Sequence, residues 1–314
     1  MQFRTQITGK PSTNQIDYQS NILLFGSCFT ENISKKLDYF KFNIQSNPFG
    51  ILFNPKAIET VITNSINQKI YSEKDVFFAN ERWHCFDAHS DLSATDKNEL
   101  LKVLNNQVTA TKISLEKASH LIITLGTAWV YRFISSDQIV GNCHKIPQKK
   151  FVKELLTVAE VTASIAAITT LIKDINPSIE IIFTVSPIRH LKDGFIENSR
   201  SKAHLLAGIH ALVSEKNWLH YFHSYEIMMD DLRDYRFYTS DMLHPSDIAI
   251  QYIWEQFSQV WINSSTAATQ KKVDIVQKGL AHRPFNPDSE QHQQFVTSLD
   301  SKIDELKSLF GIRF

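Results

Sequence analysis

The 314-residue sequence has no charge of either sign to spare, since Lys plus Arg and Asp plus Glu each number 33. Such a balance leaves no electrostatic footprint for nucleic acid or an anionic membrane surface. No apolar run approaches the roughly 20 residues of a membrane span. The opening Met1-Gln-Phe-Arg-Thr-Gln-Ile-Thr has no apolar core of the kind a signal peptide needs, so the expected address is the cytoplasm. Cysteine is scarce: Cys28, Cys85 and Cys143 are odd in number and far apart, which argues against a disulfide framework and a Cys-x-x-Cys metal site. The histidines show no His-Glu-x-x-His spacing, and no metal or other cofactor is expected. Internal repeats and low-complexity tracts are absent as well.

What is present is an ordinary globular composition, 43% hydrophobic and 11% aromatic, in a chain long enough for one large α/β domain or two small ones. Its organising stretch is Asn21-Ile-Leu-Leu-Phe-Gly-Ser-Cys-Phe-Thr-Glu31. Ile22 to Phe25 reads as a strand buried on both faces, Gly26 ends it, and Ile33 and Leu37 begin a helix with one buried stripe. Ser27 and Cys28 then lie at a strand's carboxyl end and a helix's amino end, where ligands of open α/β sheets bind and where unpaired amides lower a thiol's pKa.

Two further buried strands, Leu121–Leu125 and Ile179–Val185, end the same way, at Gly126-Thr-Ala-Trp129 and at Ser186-Pro-Ile-Arg-His190. Asn54-Pro55 reads as a helix N-cap with proline at the first helical position, and Thr157 with Glu160 as a capping box. Residues 71–95, rich in aromatics, read as a hairpin or lid; residues 132–156 as irregular; residues 264–280 as a polar linker or exposed helix; and Ile303 to Phe310 as a terminal helix docking back. Strands alternating with helices imply a doubly wound, mostly parallel sheet. The expected division is an α/β domain over residues 1–262, with the 71–95 insertion, and a helical extension over 263–314.

Asp241 and His244 are the natural partners of the Ser27–Cys28 turn. A carboxylate three positions before a histidine accepts its Nδ1–H and leaves Nε2 to face a nucleophile. By spacing alone an Asp-x-x-His pair on a loop is equally a solvated or capping group.

Phe25-Gly-Ser-Cys-Phe-Thr-Glu31 resembles the first block of SGNH (GDSL-type) esterases, and Asp241-Met-Leu-His244 resembles their last, with Gly50 and Gly126 where the middle blocks are expected. More narrowly, that opening, Asn47-Pro-Phe-Gly50, Leu125-Gly-Thr-Ala-Trp129, Ser186-Pro-Ile-Arg189 and Asp241-Met-Leu-His-Pro245 resemble the GSCFA-domain family over about residues 20–260. The resemblance implies a flavodoxin-like α/β/α sandwich and acyl-ester chemistry, hydrolysis or transfer, on an esterified carbohydrate or cell-envelope-type small molecule, with an acyl thioester as an alternative donor. An ungapped register puts Cys28 on the nucleophile and Ser27 on the esterase aspartate, with Ser27 the rival nucleophile; His244 and Asp241 complete the triad. Ala128 stands where the third block supplies an oxyanion asparagine. The amides of Cys28, Gly50 and Gly126, with Thr127 or the Trp129 indole, are the expected donors instead. Asn47, Arg189, His190, His84 and His89 are candidate substrate contacts, and Lys202 reads as a helix-surface lysine. The rival function is a non-catalytic binding or scaffold domain, motivated by Ala128, and a weaker third is a redox-sensing thiol at Cys28.

Overall fold

A computed structural model describes residues 5–314. Its strands are β1 (Asn21–Gly26), β2 (Asn43–Ser46), β3 (Val76–Ala79), β4 (Arg82–Cys85), β5 (His120–Leu125), β6 (Trp129–Phe133), β7 (Gln138–Val140), β8 (Phe151–Leu155), β9 (Glu180–Val185) and β10 (Leu219–Tyr221). The helices are α1 (Cys28–Tyr39), α2 (Pro55–Ile66), α3 (Lys97–Lys117), α4 (Val158–Ile175), α5 (Phe195–Val213), the short α6 (Ser224–Glu226), α7 (Asp247–Trp261), α8 (Ala267–Ala281) and α9 (Glu290–Phe310).

Five strands form the central sheet in the order β10-β9-β5-β1-β2, and every pairing is parallel. Because side chains alternate along a strand, each central strand feeds two cores. Leu23, Phe25, Leu121, Ile123, Leu125, Ile181 and Phe183 join α2 to α5 on one face. Ile22, Leu24, Ile122 and Ile182 join α1 and α7 on the other. The result is the three-layer α/β sandwich with a doubly wound sheet. Chain order reverses across β1, whose neighbours are β5 and β2, so the carboxyl ends of β1 and β5 flank the crevice where such sheets bind ligands.

Local signals hold where they were strong. The Asn54 side chain caps α2 by accepting from Ala57 N at 2.8 Å, and Thr157 with Glu160 forms the capping box of α4. Residues 71–95 contain the antiparallel hairpin β3–β4. Two expectations need correction, and one strand shows no signal in the sequence. Residues 132–156 are not irregular: β6, β7 and β8 make an antiparallel sheet, held partly by the fork of Arg132 on Glu154. The edge strand β2 carries one apolar residue and so gave no strand pattern. Residues 267–281 are a docked helix, with Val273 and Val276 fully buried against α9 in a small core of their own.

Candidate active site

The turn after β1 is built by contacts that leave no room for a side chain. Gly26 has φ 143°, and a Cβ there would stand 2.3 Å from the Thr124 carbonyl. The Ser27 amide donates to that same carbonyl at 3.2 Å, and Ser27 Oγ accepts from Phe29 N at 3.3 Å, capping α1. Ser27 is buried and committed to the cap, whereas Cys28, the first residue of α1, is partly exposed. The expected thiol activation is corrected: burial pushes the Cys28 thiol up, with Glu31 adding to it, and the residue's own amide offsets only part. Desolvation outweighs the helix terminus at this position.

Asn47 holds the turn rather than facing outward. Its Oδ1 accepts from Gly26 N at 2.8 Å, its Nδ2 donates to Glu31 at 2.5 Å, and its own amide donates to Leu24 O. With both ends of its amide engaged and the residue buried, Asn47 holds the turn after β1 in place.

On the loop before α7, His244 Nδ1 lies 2.5 Å from Asp241 Oδ2. Asp241 Oδ1 also accepts from the His244 and Leu243 amides, at 3.0 and 2.8 Å, and from the Thr239 hydroxyl at 2.7 Å. These donors, the amides foremost, hold the Asp241 carboxyl well below the usual carboxylate range. A carboxylate that only accepts places the proton of a neutral His244 on Nδ1 and leaves Nε2 with a lone pair. A bridge between Tyr238 and Pro245 closes the base of the loop. Met229, Phe237, Tyr238 and Cys28 all border the α1–α7 core, so thiol and loop share one side of the sheet. Among the described residues no hydrogen bond joins His244 to Cys28 or Ser27.

Lys202 on α5 is fully buried, not on the surface. Its Nζ donates to Gly126 O at 2.7 Å and Ser186 O at 2.6 Å, tying together the segments that leave β5 and β9. Burial, with the Arg189 charge adding to it, pushes its ammonium down to about 7. His190, in the segment after β9, meets Phe53 edge-on at 5.4 Å, and its backbone amide donates to Asn198. Burial first, and then the Lys202 charge, hold His190 down to about 4; His244 is near enough to push the same way.

The expected oxyanion donors are mostly spent. Gly126 N and Thr127 N both donate to Phe53 O, at 2.7 and 3.1 Å, and Gly50 N donates to Asn47 O at 2.7 Å. Thr127 Oγ1 bonds Ser201, and the Trp129 indole donates to Glu197 O at 3.3 Å. Only the Cys28 amide is left facing the thiol. Ala128 is fully buried, with its amide on Ser201 Oγ.

The GSCFA family model matches residues 21–257. The chain belongs to the GSCFA family. A second model, the C-terminal domain of GSCFA domain proteins, matches residues 273–312 of this GSCFA chain, the region of α8 and α9. No curated protein is similar to it in sequence. Among solved structures it is similar to an acetyl xylan esterase (Est2A) from the rumen bacterium Butyrivibrio proteoclasticus, at 11% identity and TM-score 0.32. That match takes in 86% of the GSCFA chain, which itself spans 66% of the esterase, and it is too distant to carry an argument.

Of the remaining candidates in the GSCFA chain, Arg189 donates to Tyr238 Oη at 2.9 Å and contacts Met229 Sδ, tethering the segment after β9 to the His244 loop. It lines a cavity of about 170 Å³ with Arg233 and Tyr235. His89 packs where a Cβ on Gly50 would fall, 2.4 Å away, and pairs with Asp91. His84, the fifth candidate substrate contact, packs with Phe77 of its own hairpin and with His144, and its Nε2 bonds Ala79 O. A larger cleft of about 710 Å³ lies between α8 and α9, lined by Phe285 and His292, apart from this chemistry. Sequence reasoning missed Lys202 and the positioning role of Asn47. The Lys202 signal was its place in Ser201-Lys-Ala-His-Leu-Leu206, where it shares a helix face with Leu205 and Asn198.

Proposed function

We propose that the protein is an acyl-ester hydrolase or acyltransferase in which Cys28 is the nucleophile, His244 the general base and acid, and Asp241 the residue that orients His244. The observation that carries this reading is the Asp241–His244 pair, 2.5 Å apart on a loop that borders the same apolar core as Cys28. Ser27 is the weaker nucleophile, because its oxygen is buried and caps α1. The thiol is protonated at neutral pH, so in this reading His244 Nε2 takes its proton as Sγ attacks. Hydrolysis and transfer share the acyl-enzyme, and the substrate in this reading is a small or carbohydrate ester.

The test is intact-protein mass spectrometry after exposure to activated acyl esters and acyl thioesters, with peptide mapping of the adduct. An acyl group on Cys28 that is lost in His244→Ala supports the reading, and the thioester arm identifies the donor. The absence of an adduct on Cys28 or Ser27 in folded protein would instead favour a non-catalytic binding domain, a reading supported by the engagement of the Gly50, Gly126 and Thr127 amides.

A further inference from the structure

Among the buried polar atoms at this edge with no partner among the described residues is His190 Nε2. It is well placed. A Cβ built on Gly126 would stand 3.3 Å from His190 Nε2 and 3.2 Å from Ser27 Cβ, so the imidazole nitrogen and the nucleophile turn face one another across a glycine with no side chain. The ring is also held: Phe53 meets it edge-on, its backbone is pinned by Asn198, and Lys202 fixes the Gly126 and Ser186 carbonyls on either side. An unpaired buried ring nitrogen forfeits its hydration without a replacement bond, and folded proteins satisfy nearly all such groups. A ligand atom that completes the bond would recover that loss.

We infer that His190 donates its Nε2–H to the substrate's carbonyl oxygen, supplying the oxyanion contact that Ala128 does not. The inference rests on the acyl chemistry proposed above. Its chemistry requires a neutral ring, because a donor that keeps its proton stabilises the oxyanion without quenching it. Burial foremost, with the Lys202 charge adding to it where that lysine is protonated, keeps the ring neutral at working pH, against the opposing pull of Asp193, itself paired with Lys153. As Cys28 Sγ bonds the carbonyl carbon, the thiol proton passes to His244 Nε2 and the π pair moves onto the carbonyl oxygen. The Cys28 and His190 N–H groups both donate to that oxygen. When the pair returns, the carbon–alkoxy bond breaks and the leaving oxygen takes the proton from His244. His190 ends as it began.

Two reactions of the same thiol separate this role from others. Acylation of Cys28 by p-nitrophenyl acetate passes through an oxyanion, whereas its alkylation by iodoacetamide does not. His190→Ala is expected to slow acylation by about 100-fold or more and leave alkylation unchanged, with His190→Gln recovering part of the acylation rate through its own amide N–H. Acylation of His190→Ala at the wild-type rate would overturn the inference. Equal slowing of both reactions in both variants would also overturn it, assigning His190 a general-base or purely structural role. Wild type that is alkylated but never acylated would overturn the proposed acyl chemistry and this inference together, an outcome distinct from the other two. Should His190→Ala fail to fold, wild type itself serves: binding of a trifluoromethyl ketone to Cys28 moves the His190 Nε2–H resonance downfield, and an unmoved resonance sinks the idea.

Discussion

At the scale of single residues, burial governs the titrations of Lys202, His190 and the cysteines. Lys202 titrates near 7 in the folded protein against an ordinary 10.5. Between those values the unfolded chain holds a proton that the folded chain has released, so Lys202 makes stability rise with pH across that window. The slope it contributes is at most about 1.4 kcal/mol per pH unit. Urea unfolding from pH 7 to 9.5 should show that rise in wild type and a flatter profile in Lys202→Met. The same variant should raise the His190 titration seen by NMR, only in part, because burial is the larger cause of its depression. Cys28 behaves as a raised thiol. Iodoacetamide should therefore alkylate it more slowly at pH 7 than a free cysteine, with the rate still climbing above pH 9 and faster in Glu31→Gln. Cys143 and Cys85, pushed up to about 11 and about 12, should lag behind. A plateau near neutrality would show a resident thiolate instead.

At the scale of elements, the Ser27–Cys28 turn depends on one strand end and one neighbouring loop. Asn47→Ala removes the acceptor of Gly26 N and the donor to Glu31 at a buried site, and leaves a non-glycine at φ 44° without its side-chain bonds. A loss of about 1–3 kcal/mol is expected, measured by urea denaturation, with acylation of Cys28 falling along with it. Gly26→Ala is more severe, since its Cβ meets the Thr124 carbonyl and the backbone lies at φ 143°. About 3 kcal/mol or more is expected. These effects were only partly legible beforehand. Gly26 announces itself by ending an apolar run, but Asn47 reads in the sequence as a substrate contact, because its structural role depends on β2 lying beside β1.

At the scale of the whole molecule, α8 packs on α1 and α9 reaches Tyr18. Tyr39 Oη donates to Asp274 at 2.8 Å, Gln277 donates to Tyr39 O at 2.8 Å, and Tyr18 stacks on Phe42 at 4.7 Å while touching Phe310. None of these contacts reaches Cys28 or His244. Deleting residues 264–314 should lower Tm while leaving the far-UV signature of the sheet and the alkylation rate of Cys28 in place. A truncated chain that no longer folds would make α8–α9 part of one cooperative unit with the sandwich.

Properties carried by neighbours in the chain were determined by the sequence alone. The strands β1, β5 and β9 are continuous apolar runs because they are buried on both faces, and a helix cap is satisfied within about three residues of itself. The Asp241–His244 pair belongs to the same class, since one short loop closes it. Tertiary structure alone decided the rest. The edge strand β2 is a strand because β1 offers it a free side, and Lys202 is a buried cation because two distant carbonyls meet there. The Gly126 and Thr127 amides are engaged because Phe53 lies over the segment leaving β5. A side chain's burial and its bond partners depend on what the fold packs against it, and no local pattern encodes that.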